Sequence, residues 1–309
     1  VNPPAAHAPK RARIVFDFVL VTLIWGSTWL VIKDQISAVP PGWTVTWRFL
    51  LATCGMVLLA LARKESLRLS APAMRLAIIV GVTQFCGNFQ FVYRAEHYLT
   101  SGVVAVCFAL LLVPNAVLSR LFLGTPISGR FIAGSVIAIS GIAMLLAHEY
   151  RIAPPGGSLL MGVALTLGGL LSASTANVLQ ATALARRQAI IPLIAWAMAW
   201  GTLANALFSW TISGPPVFDP RPEYLAGIAY LGIIGSVVTF PLYFGLIRSM
   251  GAGRAAYNGV AVPVVAMGLS TLFEDYRWSA LAAAGAVLAL SGLAVALSGS
   301  RFASPPQRQ

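Results

Sequence analysis

Apolar runs of about twenty residues recur along the whole chain, separated by short segments that hold most of its Lys, Arg, Asp and Glu residues. A helix of that length crosses about 30 Å of hydrocarbon with its backbone hydrogen bonds satisfied internally, so each run predicts a membrane span. Ten spans are predicted, near residues 14–33, 42–62, 73–95, 100–123, 128–147, 158–184, 189–212, 224–247, 254–273 and 279–300.

Two of these runs are copies of one another. Gly285 to Ser298 repeats Gly134 to Ala147 at a separation of 151 residues, with seven of fourteen positions identical. Gly134 and Gly141, like Gly285 and Gly292, lie two helical turns apart and share a helix face. The same separation links Gly102 to Gly253 and Phe89 to Phe240. The chain therefore divides into a tail (1–13), a first five-span unit (14–147), a connection with Pro154, Pro155, Gly156 and Gly157 (148–157), a second five-span unit (158–300) and a tail (301–309). An odd number of spans per unit turns the second copy upside down. The expected fold is an all-α integral membrane protein of two inverted five-helix repeats, an architecture of many secondary transporters.

Composition agrees: 58% of residues are apolar, 10% are charged and the mean hydropathy is +0.81. With the N-terminus in the cytoplasm, the loops and tails of that face collect fifteen Lys and Arg residues and the other face five, a positive-inside bias that places both termini in the cytoplasm. The net charge of +12 then reads as orientation signal and contact with anionic membrane lipid, and no nucleic-acid partner is expected. Val1 to Ala12 lacks the apolar core of a signal peptide, and the first span is expected to direct insertion uncleaved.

Catalytic and metal-binding patterns are not found. Cys54, Cys86 and Cys107 fall in three different spans and read as buried free thiols, while His7, His97 and His148 are scattered over a tail and outer segments. No metal, no cofactor and no enzymatic activity are expected. Arg48 is the one ionisable residue predicted well inside a span. It reads either as a brace held by carbonyls or an outer carboxylate such as Asp34, or as an anchor for a substrate anion. No carboxylate or histidine is predicted near the midplane, which favours uncoupled diffusion or exchange. Asp17, Glu96 and Glu274 at span ends keep proton coupling as the alternative.

The neutral polar and aromatic residues inside the spans are the candidate site. Gln84, Asn88 and Phe91 recur at i, i+4 and i+7 on the third span, Thr239 is the repeat partner of Asn88, and Ser172, Asn177 and Gln180 lie on the sixth. Such amides meet either neighbouring helices or a polar solute. Trp25 and Trp29 share a face of the first span, and Trp196 and Trp200 a face of the seventh; Tyr243 lies on the eighth. Trp43, Trp210, Tyr224 and Trp278 read as interfacial belt residues. Trp25 and Trp196 are deeper, against lipid or as the wall of a cavity. Pro114 and Pro263 take corresponding places in the two units, each near an amide, Asn115 and Asn258, and each interrupts a helix. Gly251, Gly253 and Gly259 suggest a hinge.

Trp25-Gly26-Ser27, Arg48-Phe49, the paired Pro114 and Pro263, Glu274, and Ser140-Gly141 with Ser291-Gly292 resemble, in that order, the doubled EamA unit of the drug/metabolite transporter superfamily. The resemblance covers about residues 14–298. The family usually carries an acidic residue where this chain has Thr125, so only Glu274 can keep that role. The resemblance implies an inner-membrane exporter of small metabolites, commonly amino acids, similar to the aromatic amino-acid exporters. It implies a cavity lined by spans 1, 3, 4, 6, 8 and 9, with spans 5 and 10 outside it, where the glycine faces support helix packing or a homodimer. Substrate contacts are expected from Trp25, Trp29, Gln84, Asn88, Phe91, Asn115, Asn177, Thr239, Tyr243 and Asn258, with Pro114, Pro263 and Gly253 in gating. Drugs, quaternary ammonium compounds or nucleosides moved against protons form the second reading, and a membrane enzyme or structural protein the third.

Overall fold

The structure, a computed structural model, describes residues 11–152, 158–250 and 258–299. Its long helices are α1 (Arg11–Ala38), α2 (Pro41–Ala62), α3 (Ala71–Ala95), α4 (Ser101–Leu123), α5 (Gly129–Ile152), α6 (Leu159–Gln180), α7 (Ile190–Ser213), α8 (Pro222–Tyr243, with helix continuing to Met250), α9 (Asn258–Phe273) and α10 (Ala280–Gly299). Nine of them are long and apolar enough to cross a bilayer. The sixteen residues of α9 rise only about 24 Å. Its expected first turn, with Gly251 and Gly253 of the proposed hinge, lies outside the described residues.

Helix ends follow local chemistry. Ser70 accepts a hydrogen bond from the Ala73 N–H at the start of α3, and Ser158 does the same for Met161 at the start of α6. Gly124, at φ +68°, ends α4 in the left-handed region that glycine enters without penalty. His148 to Ile152, expected as part of the connecting turn, instead extend α5. His148 Nε2 meets the Arg277 carbonyl and Nδ1 meets Ser279 Oγ, which ties this extension to the segment before α10.

The two copied sequences pack against each other, and their pairing shows the inversion directly. A Cβ added at Gly141 would lie 2.6 Å from the Gly285 carbonyl oxygen, and one at Gly292 would lie 2.7 Å from that of Gly134. Residue numbers rise along α5 as they fall along α10, so these equivalent helices are antiparallel. Lipid supplies no hydrophobic drive between helices, and close backbone approach through small residues takes its place. Both glycine faces are thus consumed within one chain. A homodimer through helices 5 and 10 would have to use their other faces, where Ile132, Val136, Ile139 and Val287 are exposed.

Helix irregularity falls elsewhere than on the paired prolines alone. Gly81–Asn88 in α3 and Tyr230–Val238 in α8 are π-helical, at matching places in the two repeats. Ser236 Oγ and Thr239 Oγ1 donate to the carbonyls of Leu231 and Ile234, five residues back, across the widened turns. In α4 a 3₁₀ turn over Ala109–Leu111 precedes Pro114 and includes Leu110, whose carbonyl the proline ring would strike in a regular helix. Pro263 lies inside α9, four residues after Gly259.

Candidate functional site

The two repeats meet along a continuous chain of aromatic rings. From α8 it runs Tyr243, Trp25, Phe240, Phe85, Phe49, Phe89 and Tyr93, with successive ring centroids 4.8 to 6.2 Å apart. Trp25 Nε1 also donates to the carbonyl of Gly235, inside the π-helical part of α8. Edge-to-face contacts of this kind order rings in a dry interior and give them a fixed spacing.

Several of the expected site residues gather around this chain. Asn258 Nδ2 donates to Thr22 Oγ1 at 2.8 Å, which joins the start of α9 to the Trp25 face of α1. Trp29 packs on Phe108 at 5.5 Å, and Phe108 in turn lies beside Gly169 of α6. Asn177 Nδ2 donates to Asn115 Oδ1 at 3.4 Å, between α6 and α4. Asn88 is 4% exposed, and its Oδ1 is buried with no hydrogen-bond partner among the described residues. A buried amide oxygen left unpaired costs about 1–3 kcal/mol. Gln84, one π turn earlier, is half-buried. Thr239 is buried, and its hydroxyl is spent on its own helix.

Other expected residues fall outside the group. Phe91 is 39% exposed and lies against Gly168 of α6, because the π-helical stretch alters the angular spacing that placed it in line with Gln84 and Asn88. Trp196 donates to the Leu67 carbonyl and lines a groove of about 710 Å³ under the α2–α3 loop, away from Trp25. Cys54 is exposed, whereas Cys86 and Cys107 are buried, and all three thiols are free.

Arg48 is 2% exposed and sits where α1, α2, α3 and α8 meet. Neither carbonyls nor Asp34 hold it. Nη1 donates to Tyr93 Oη at 3.0 Å, Nε and Nη2 reach Ser236 Oγ at 3.4 and 3.3 Å, and the guanidinium lies over the rings of Phe89 and Phe49 at 4.6 and 5.2 Å. The arrangement is a brace between the repeats. No ion pair reaches Arg48 among the described residues.

Beyond α3, the structure gathers a second set of charges. Glu96, named at a span end as one of the groups that keep proton coupling open, is 0% exposed, a burial the sequence did not show. Burial pushes its carboxyl well above the usual carboxylate range; Lys33 opposes that shift, Glu274 adds to it and Arg48 opposes it. Lys33 Nζ donates to the carbonyls of Glu96 and Leu99. Glu274, just past α9, accepts from the Ser101 hydroxyl and N–H at the start of α4. A carboxylate at a helix N-terminus is favoured by the helix dipole, and this one joins the second repeat to the first. The only signals in the sequence were two Glu and one Lys at neighbouring span ends.

A helical membrane protein built as an inverted repeat, with rings and neutral amides at the repeat interface, has the architecture of a secondary transporter. The model of the EamA-like transporter family matches residues 13–147 and 160–298, and the chain belongs to that family as two copies of its domain. Among curated relatives, the protein PagO of Salmonella typhimurium is 28% identical, covering 86% of each chain. A probable amino-acid metabolite efflux pump of Escherichia coli is 22% identical over 92% of this chain and 94% of its own. The inner membrane transporter YedA of Escherichia coli is 30% identical over 81% of this chain and 79% of its own. A crystal structure with 19% identity has the same fold, at a TM-score of 0.69, covering 96% of this chain and 100% of that one. The chain is a multi-pass inner-membrane transporter.

Proposed function

We propose that the chain exports small neutral or amphipathic metabolites, foremost amino acids with aromatic or neutral side chains, by alternating access between its two repeats. Transport is uncoupled diffusion or exchange, and both termini lie in the cytoplasm, as the distribution of loop cations indicates. The observation that carries this reading is the interface itself: the rings of Trp25, Phe240, Phe85 and Tyr243 pack in series across it, and the Asn88 amide oxygen is buried and unpaired among the described residues. Rings bind an apolar side chain, while amides bind a zwitterion without the net charge a phosphate or nucleotide would require. The similarity to a probable amino-acid metabolite efflux pump of Escherichia coli supports the substrate class.

Entry of a labelled aromatic amino acid into proteoliposomes preloaded with unlabelled neutral amino acids tests the proposal. Saturable exchange that proceeds without an imposed pH gradient, and that such a gradient does not drive uphill, is the expected result. Folded protein that exchanges no amino acid would reject the substrate class, and flux that requires the gradient would reject uncoupled transport.

A further inference from the structure

Among the described residues, Glu96 is the carboxylate with both oxygens buried and unpartnered. The neighbouring charges come from every side. Lys33 reaches in from α1, but its ammonium is bound to backbone carbonyls at the α3–α4 corner. Arg48, from α2, is engaged with Tyr93 and Ser236. Glu274, from beyond α9, is engaged with Ser101. Tyr93, three residues back on α3, directs its hydroxyl at Arg48. His97, the next residue, is held below its usual range by burial, Lys33 and Arg94.

Lys33, Arg48 and Glu274 are thus each bonded to other atoms, and no ion pair or hydrogen bond reaches the Glu96 carboxyl oxygens among the described residues. An ionised carboxylate in a dry site without donors costs several kcal/mol, whereas a neutral carboxyl costs far less. The same corner is a closure point between the repeats, because the Glu274–Ser101 bonds and the Lys33 bonds pin the start of α4 to the end of α9 and to α1.

We propose that Glu96 is a proton-binding site that gates this mouth: the closed mouth holds the carboxyl protonated, and loss of that proton to water opens it. The proposal deepens the transport reading and rests on alternating access. The proton enters and leaves through the same mouth, so it sets the rate of opening and adds no driving force. The sign follows from linkage. A carboxyl whose pKa is raised in the closed form stabilises that form fully below the open-form value, and the stabilisation is lost as pH rises through the closed-form value. Between those limits the open fraction rises by about tenfold per pH unit.

The test reads closure without transport. Thr100 sits at the corner with its hydroxyl buried and unpartnered, and Tyr98 lies exposed two residues away. Thr100→Cys and Tyr98→Cys are each reacted with a membrane-impermeant maleimide in reconstituted full-length protein with the native cysteines replaced. The ratio of their rates cancels the pH dependence of the thiol reaction itself. The ratio is expected to climb about tenfold per pH unit over the titration, and to be low and flat in Glu96→Gln. Glu274→Gln, which removes a like charge, should move the midpoint to lower pH. A ratio independent of pH, or an unchanged profile in Glu96→Gln, would overturn the proposal. If Glu96→Gln does not fold, an unmoved midpoint in Glu274→Gln has the same effect. Failure of amino-acid exchange with the expected labelling profile would reject the substrate and leave the gate standing.

Discussion

Substituting Gly141 by Ala tests whether α5 and α10 are held by backbone approach. The new methyl carbon would lie 2.6 Å from the Gly285 carbonyl oxygen and 2.8 Å from the Ala289 Cα. Nearer still is the Ala289 backbone nitrogen at 2.3 Å, and since ordinary contact begins at 3.4 Å the helices must part by about 1 Å. The three nearest obstacles are all backbone, which no rotamer change can move aside. Overpacking of this kind costs about 1–3 kcal/mol, against a gain of up to about 1 kcal/mol from the better helix propensity of Ala. A net loss near 1 kcal/mol corresponds to a fall of roughly 2–4 °C in thermal midpoint for a chain of a few hundred residues. Parting the helices once relieves Gly134 as well as Gly141, so Gly134→Ala/Gly141→Ala should lose much less than the sum of the single effects. Gly268→Ala, with no atom within 4 Å of the added carbon, is the control and should keep or raise the midpoint. The assay is thermal unfolding in detergent, followed by the monodisperse fraction that survives heating. A Gly141→Ala protein as stable as the parent, with the Gly268→Ala control behaving as expected, would refute the close approach.

Tyr93→Phe removes a hydrogen bond from a buried guanidinium and should cost about 1.5–3 kcal/mol in denaturant unfolding; Tyr93→Phe/Arg48→Met, which removes the charge too, should be less destabilised than Tyr93→Phe alone. Glu274→Gln weakens the charged cap of α4 by about 0.3–1 kcal/mol and should raise the labelling of Thr100→Cys at every pH, read by the same maleimide assay. Trp25→Ala breaks the ring chain between Tyr243 and Phe240 and should lower exchange by about tenfold or more with helix content unchanged, as checked by circular dichroism.

The fold was legible because its two determinants, span length and an internal repeat, are written directly in residue order. The glycines of the repeat even named the helix pair that packs. The inversion followed from counting five spans, and the antiparallel Gly141–Gly285 and Gly134–Gly292 contacts bear it out. The site was only partly readable. Asn258 meets Thr22 on the Trp25 face of α1, and Asn115 meets Asn177, as two separate pairs. Phe91 does not stay in line with Gln84 and Asn88, since a period of 3.6 fails across the π-helical turns of α3, and no proline marks those turns. Arg48 was recognisable as an isolated charge, but its partners Tyr93 and Ser236 are hydroxyls from distant segments that pattern alone does not pair. Glu96 was hidden for a related reason. A residue just past a span end reads as solvated, and only the packing of α1 and the α9 end over that corner buries it.

The repeat interface is the claimed path of the substrate, and the most direct measurement compares exchange of a labelled aromatic amino acid by the parent, Asn88→Leu and Gly141→Ala proteins in the same proteoliposomes. Asn88→Leu removes the unpaired amide near the ring chain, while Gly141→Ala disturbs the separate α5–α10 contact, which holds none of those rings. The expected result is loss of saturable exchange in Asn88→Leu, and parent-like exchange per folded molecule in Gly141→Ala. Normal exchange by Asn88→Leu, or loss confined to Gly141→Ala, would contradict a path between the repeats.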